Sequence, residues 1–507
     1  MTETLQSLAL SIIELATFIF VFIFLAAIVW LIWAYISDIR QKKQAIRRNF
    51  PVIGRFRYFF EHLGEFFRQY FFAMDREELP FNRADRSWVY RSAKNVDNTV
   101  AFGSTRNISA AGEILFLNCP FPTLEADAVP PSAITFGEGQ ARQPYTTSSF
   151  FNISGMSYGA ISKPAVQALS QGAAKAGIWM NTGEGGLSPF HLEGGADIVF
   201  QIGTAKYGVR DDQGQLSESR LRSVAAHEAV KMFEIKLSQG AKPGKGGILP
   251  AAKVTQEIAD IRGIPVGHAS ISPNGHPEIK SVDDLLNMVH RVREITGKPT
   301  GFKFVLGAYG FLETMLKSIH ERGLEFAPDF ITIDSADGGT GAAPQSLIDY
   351  VGLPIKESLP LVVDKLIEYG LRDRIKVICS GKLITPASVA WALCTGADAI
   401  VSARGFMFSL GCIQALQCNK NTCPTGITTH DPDLQNGLDP TNKAERVAQY
   451  AQKMVHEVGV IAHSCGVREP RELRRYHAHI VGDNSFSTSL ELLFPTRSVK
   501  PEYDKRK

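Results

Sequence analysis

Eight short apolar runs recur between residues 150 and 405. They are FFNISG (150–155), GIWMN (177–181), DIVFQIG (197–203), FEIKL (233–237), GFKFVLG (301–307), DFITIDS (329–335), IKVICSG (375–381) and AIVSARG (399–405). Stretches of helical period, such as SKPAVQALSQGAAKAG and PASVAWALCTGAD, separate most of them. Runs this short and this continuously apolar suit strands buried on both faces of a parallel sheet. Eight β–α units in about 250 residues predict an α/β fold, a (β/α)8 barrel. A doubly wound open sheet is the competing arrangement, but no Gly-x-Gly-x-x-Gly follows an early strand.

In such a barrel the chemistry belongs to the loops after the strands. Six of the runs empty into glycine-bearing segments: GMSYGAIS, NTGEGG, KLSQGAKPGKGG, DSADGGTGAAP, SGK (380–382) and ARG (403–405). Glycine there lets backbone approach a ligand closely. Barrels often hold a phosphate with the loops after strands 7 and 8, which makes Gly381 and Gly405 the expected small residues and FMN a fitting cofactor. A single glycine loop need mean only a turn; six at consecutive strand ends argue for a ligand.

The N-terminus carries a different signal. Leu15 to Ile36 is 22 residues without a charge, LATFIFVFIFLAAIVWLIWAYI. At about 1.5 Å per residue it spans the roughly 30 Å hydrocarbon core of a bilayer. Glu3 and Glu14 precede it; Arg40, Lys42, Lys43, Arg47 and Arg48 follow. The positive-inside rule predicts a single-pass anchor in the cell membrane with the catalytic part in the cytoplasm. Residues 48–91 are dense in Phe and Arg, and their aromatics at helical spacing suit either the membrane surface or packing on the main domain. The expected organisation is an anchor with basic flank (1–40), an aromatic and basic extension (41–140), the barrel (141–440) and a helical C-terminal extension (441–507). A net charge of +3 implies no affinity for nucleic acid.

Three of the seven cysteines, Cys412, Cys418 and Cys423, fall within twelve residues, spaced Cys-x5-Cys-x4-Cys, with Pro424 after the third. Clustered buried thiols, a disulfide with one cysteine left over, and a metal site compete to explain them. A reducing compartment disfavours the disulfide. The run starts seven residues beyond Gly405, beside the expected phosphate site. Three soft thiolates there suit a 3Fe–4S cluster exchanging electrons with a flavin. Zinc on three cysteines and a histidine such as His430 is the alternative. Cys119, Cys379, Cys394 and Cys465 are expected to be structural thiols.

The segments GMSYGAIS, NTGEGG, EIKLSQGAKPGKGGILP, GHASISPNGHPEI, ADGGTGAAP and the cysteine run with CPTGITT, in this order over about 150–430, resemble the FMN-binding synthase domain of the glutamate synthase family. The resemblance implies a barrel carrying FMN and a 3Fe–4S cluster that reduces 2-iminoglutarate, formed from 2-oxoglutarate and ammonia, to L-glutamate. It implies that Cys412, Cys418 and Cys423 hold the cluster and that Gly155, Met156, Ser157, Asn181 and Gln201 lie along the flavin. It places Lys236 near the flavin pyrimidine, Gly338 and Gly339 at the cofactor, and Ser380, Gly381, Ala403, Arg404 and Gly405 about the phosphate. Glu184, Lys242 and Lys303 are implied at the substrate pocket or its entrance. A dicarboxylate needs cations, and Lys242, Lys245 and Lys303 stand at strand ends to supply them.

The departures from the family pattern are also informative. A membrane span stands where the family has a glutaminase domain, and Ala160 stands where the family often has Ser. Ammonia, or glutamine-derived ammonia from a partner, and electrons from ferredoxin or an NAD(P)H-dependent reductase subunit are therefore expected from outside. Two other functions remain open at this stage: a membrane-anchored electron-transfer subunit without 2-oxoglutarate turnover, and a flavin-dependent 2-hydroxy-acid oxidase. Intact NTGEGG and QGAKPGKGG loops favour the synthase, and the oxidase gives the cysteines no role.

Overall fold

The computed structural model describes residues 2–504. Two compact units divide between Ala84 and Asp85.

The first unit opens with a helix, Thr2–Arg40. Its stretch Gln6–Arg40 is, among the described residues, the one helix long and apolar enough to cross a membrane. A shorter helix, Gly54–Phe67, follows it.

The second unit is built on a closed barrel of eight parallel strands. These are β1 (Phe151–Ile153), β2 (Met180–Asn181), β3 (Ile198–Ile202), β4 (Val230–Lys236), β5 (Thr300–Phe304), β6 (Phe330–Asp334), β7 (Lys376–Ser380) and β8 (Ala399–Ser402). All eight predicted runs are strands. Each strand pairs with the next, and β8 returns to β1 with Ile400 opposite Phe151, so no edge is left open. Helices follow the strands: α1 (Lys163–Ala176), the single turn α2 (Pro189–Leu192), α3 (Glu218–Ala225), α4 (Val282–Thr296), α5 (Tyr309–Arg322), α6 (Ile355–Glu368), α7 (Pro386–Thr395) and α8 (Arg404–Leu410). Local chemistry sets their ends. Ser162 caps α1 by accepting from the Ala165 amide, and Gly177 ends it at φ +65°.

The N-terminal mouth of the barrel is plugged. An antiparallel hairpin, Ile134–Phe136 with Tyr145–Thr147, lays Phe136 edge-on to Trp179 and Phe330, both with centroids 5.8 Å away. Tyr145 donates to Asp197 at 2.9 Å. Burial of each such ring contributes about 1.5–3 kcal/mol, and closing this end leaves only the opposite mouth for a ligand.

The expected helical extension over 441–507 is helical only at first. The long helix α9 (Pro440–Ser464) packs on α1, where a Cβ on Gly172 would lie 2.5 Å from Val447. Beyond it the chain forms strands Ala478–Val481 and Ser487–Ser489, which make a three-stranded sheet with Ile114–Phe116. Short alternating segments such as AHIV carry too few residues for a strand signal to stand out from sequence alone.

Candidate functional site

The open mouth holds a cleft of about 870 Å3, counting its entrance. It is built on a layer of buried polar groups contributed by the inward positions of neighbouring strands. Register places Gln201 opposite Glu234, Lys236 opposite Lys303, and Lys303 opposite Thr332. Residues two apart on a strand point the same way, so Glu234 and Lys236 both face the barrel axis.

Glu234 organises this layer. Its Oε1 accepts from Asn181 Nδ2 at 2.8 Å and Gln201 Nε2 at 2.7 Å, and its Oε2 accepts from Thr332 Oγ1 at 2.5 Å. With their nitrogens so committed, both amides have a fixed orientation. Asn181 Oδ1 accepts from the Gly183 amide at 2.9 Å. A Cβ on Gly155 would lie 2.9 Å from that same oxygen and 3.1 Å from Gln201 Nε2, so glycine lets the β1 loop rest on the two amides.

Beside Glu234, Lys303 pairs with Asp334 at 3.0 Å, and the Gly240 amide also donates to Asp334 at 3.0 Å. Burial opposes both charges. The Asp334 and Glu234 carboxylates outweigh it and hold the Lys303 ammonium above its ordinary range. Lys303 likewise outweighs burial at Asp334 and keeps that carboxyl below its own.

Above this layer lie the groups that face the cleft. Lys236 donates to Glu184 Oε1 at 2.8 Å and to Gln239 Oε1. Glu184 sits between two glycines: a Cβ on Gly203 or Gly247 would come within 2.5 Å of it. Burial alone would raise the Glu184 carboxyl, but Lys236, then Lys242 and Arg262, hold it low and ionised. Burial pulls the Lys242 ammonium down to about 8; Lys236 adds to the effect and Glu184 opposes it. Arg262, on the short helix Gln256–Arg262 in the insertion after β4, reaches Ser157 Oγ at 3.4 Å and the Tyr158 carbonyl at 3.3 Å. Arg404 donates to the Thr340 carbonyl and, at 3.7 Å, to Cys418 Sγ. Lys236, Lys242, Arg262 and Arg404 thus line the cleft, against the single carboxylate of Glu184. The arrangement suits an anionic occupant.

Of the residues picked from sequence, Gly155, Met156, Ser157, Glu184, Gln201, Lys236, Lys242, Gly339, Ala403, Arg404 and Cys418 line this cleft. Asn181 and Lys303 lie beneath it in the polar layer, and Lys245 is exposed outside it. Gly338, Ser380, Gly381 and Gly405 do not line it. Two of these are glycine for reasons of packing. A Cβ on Gly381 would meet Ser335 Cβ at 2.2 Å, and one on Gly405 would meet Tyr450 Oη at 2.3 Å and Ser402 Oγ at 2.8 Å. Gly405→Ala is therefore expected to cost about 1–3 kcal/mol by overpacking, seen as a lower thermal midpoint. A change confined to ligand affinity, with stability intact, would show that the methyl faces the cleft instead.

The cysteine loop closes one side. Cys412 follows α8 after the capping Gly411, and its carbonyl accepts from Tyr90 Oη at 2.6 Å. Burial pushes the Cys412 thiol up to about 11; Arg404 works against that, while ionisation of Cys418 or Cys423 adds to it. Burial would also raise Cys423, but hydrogen bonds from Thr425 and Thr428 hold it below the ordinary thiol range. Lys253 donates to the Cys418 carbonyl at 2.7 Å and the Ala160 carbonyl at 3.4 Å, tying this loop to the loop after β1. His430 directs Nε2 to the Gly159 carbonyl at 2.8 Å. Among the described residues, no three His, Cys, Asp or Glu side chains are drawn close enough to close on one metal ion.

Glu234, Asp334, Arg262 and Lys253 were not singled out from sequence. The first two carried a signal, since a carboxylate inside an apolar strand must be paired. Arg262 and Lys253 lie in the irregular insertion, where periodicity says nothing.

The conserved region of glutamate synthase matches residues 123–468, which hold both the cleft and the cysteine loop. The glutamate synthase large subunit-like protein YerD of Bacillus subtilis is 38% identical over 89% of this chain and 92% of its own length. An archaeal-type glutamate synthase [NADPH] of Thermotoga sp. is 34% identical over 68% of this chain, and the archaeal glutamate synthase [NADPH] of Methanocaldococcus jannaschii is 36% identical over 67%. This chain spans 64% of the length of each of those two. A match that runs through the plug, the barrel and the cysteine loop alike makes the chain a member of the glutamate synthase family.

Proposed function

We propose that the chain is a glutamate synthase-like oxidoreductase that reduces 2-iminoglutarate, formed from 2-oxoglutarate and ammonia, to L-glutamate. The observation that carries this reading is the cleft itself, with four cationic side chains and one carboxylate at the C-terminal mouth of a barrel. The glycine-lined wall at Gly155 and Gly183, with Arg404 in the same cleft, fits FMN; Cys412, Cys418 and Cys423, soft donors in one loop, are the thiols a 3Fe–4S cluster would have to draw together. FMN held there would supply the hydride for the imine carbon, and a cluster on the cysteine loop would pass it two electrons one at a time from an external donor such as ferredoxin or an NAD(P)H-dependent reductase.

The protein's own groups do the rest. Lys242 and Arg262 bind the substrate carboxylates. Glu184, held ionised, accepts hydrogen bonds from the incoming ammonia and from the iminium N–H. Lys236 fixes Glu184 and presents its own positive charge to the cleft. The Glu234 layer keeps Gln201 in one orientation beneath the occupant. Ammonia arrives free or from a glutamine-hydrolysing partner. The N-terminal helix crosses the membrane, with the rest of the chain on its Lys- and Arg-rich side, the cytoplasm.

The test is anaerobic purification in detergent, a count of FMN released on heating, and glutamate formation from 2-oxoglutarate and ammonia with a reduced viologen as donor. Full flavin without glutamate would overturn the synthase reading. Because the Lys242 ammonium titrates near 8, its contribution to binding is present below that pH and lost above it. The KM for 2-oxoglutarate is expected to rise about tenfold across this range, the size of a charge-assisted hydrogen bond. In Lys242→Gln that rise should vanish, with KM high at every pH.

A further inference from the structure

The helix Gly54–Phe67 has two unlike faces. Phe56, Phe59, Phe60, Leu63 and Phe67 recur at helical spacing along one side. Phe56, Phe59 and Phe60 are 59%, 57% and 60% exposed, and Phe71 and Phe72 in the wider turn Arg68–Phe72 are 72% and 76% exposed. Arg57, Glu61 and His62 occupy the other side. Six exposed phenylalanines among the described residues of 56–72, Phe67 included, are far more apolar surface than an aqueous face tolerates.

The start of this helix is tied to the end of the apolar one. Asp38 is fully buried and accepts from Arg47 at 2.5 Å, Arg55 at 2.9 Å and the Val52 amide at 3.0 Å. The Arg55 guanidinium lies over the rings of Trp30 and Trp33, 5.8 and 5.4 Å from their centroids. Tryptophans near the end of a span mark the level of the membrane–water interface. Arg55 therefore starts the second helix at that level, on the flank that carries Arg40, Lys42, Lys43 and Arg48.

We propose that Gly54–Phe67 and the turn after it lie in the membrane–water interface, with the phenylalanine face among the lipid chains and the charged face in water. A helix with aromatics on one side and charges on the other is stable there. The Asp38 clamp sets it off from the span at a fixed point. The inference rests on the reading of Gln6–Arg40 as a membrane span.

The full chain, in vesicles of mixed zwitterionic and anionic lipid, tests it by nitroxide labels at single introduced cysteines. The signal of the unsubstituted chain is subtracted, and collision with oxygen is compared with collision with a water-soluble nickel chelate. Phe59→Cys and Phe60→Cys should be several-fold more accessible to oxygen relative to nickel than Arg57→Cys and Glu61→Cys. Phe22→Cys, in the middle of the span, is the internal control. If Phe22→Cys is lipid-exposed but Phe59→Cys and Phe60→Cys meet the nickel chelate like Arg57→Cys, the interfacial helix is wrong and the span stands. Shielding of Phe59→Cys and Phe60→Cys from both quenchers would place that face against protein and also overturn the proposal. Nickel access at Phe22→Cys would overturn the span reading, and the interfacial helix with it.

Discussion

Cys418→Ser should leave the anaerobically purified chain with at most about one tenth of its iron and without its brown absorbance. Changes to the groups around a metal ligand already cost about 10- to 100-fold in affinity, and this change removes a ligand. The setting of the thiols supports the expectation. Cys412, Cys418 and Cys423 share one loop, and at Cys412 the charge of either neighbouring thiolate adds to the cost of ionisation, a load that a cationic centre would relieve. Arg404 on Cys418 Sγ and Lys253 on the Cys418 carbonyl bring positive charge to the same place. Cys394→Ala is the comparator: Cys394 is buried in α7, away from the loop, and burial pushes its thiol far above the ordinary range. It should retain its iron. Tightly held zinc in the unsubstituted chain, or iron unchanged in Cys418→Ser, would refute the cluster. Flavin must be counted in the same samples, since Cys418 also lines the cleft.

The second large effect is expected at Lys303. Replacing it with Met removes the partner of a buried carboxylate, and breaking such a pair costs about 3–5 kcal/mol. Denaturation of the full chain in detergent measures it. The loss should depend on pH with a definite sign. In the native chain the Asp334 carboxyl is held low, so its contribution is present above the unfolded carboxylate range and lost only in acid. Lys303 is held high, so its contribution is present below the ordinary lysine range and lost only in alkali. Both are therefore in full force at neutral pH. In Lys303→Met, Asp334 keeps burial without compensation and its pKa moves up. Acidification then neutralises it more readily, so the gap between variant and native chain should narrow as pH falls. Adding Asp334→Leu should recover much of the stability, because an apolar pair often replaces a buried ion pair at little cost. A loss that is the same at pH 5 and pH 8 would show that Asp334 does not carry it.

Much of this molecule was legible in one dimension. The eight strands could be read because parallel barrel strands are buried on both faces, so strands such as IVFQI and AIVS are nearly continuous apolar runs. The family resemblance picked out the cleft-lining residues Glu184, Lys236 and Lys242, and their place at strand ends or in the glycine-rich segments that follow, where barrels put their sites, agrees with it. The strands Ala478–Val481 and Ser487–Ser489 could not, because three- and four-residue segments on a partly exposed sheet carry no period. Arg262 and Lys253 could not either. Each acts across more than 90 residues of sequence, Arg262 on Ser157 and Lys253 on Cys418, and no local pattern encodes such a distance.

The sequence by itself determined the barrel, the apolar N-terminal helix and the identities of the loops at the open mouth, because apolar period and glycine placement act locally and repeat. Tertiary structure alone decided what those residues do to one another. Gln201, Glu234 and Thr332 come from three strands, and only closure of the barrel turns them into one hydrogen-bonded floor. Gly405 was expected to make room for a phosphate, yet it is the side chain of Tyr450, on a helix that begins 35 residues later, that its Cβ would strike. Lys303 was expected at the pocket, yet Asp334 holds it in the layer below. The physical reason is common to all three. Burial and charge pairing depend on what lies across the barrel, and a chain read in order contains no information about its neighbours across that gap.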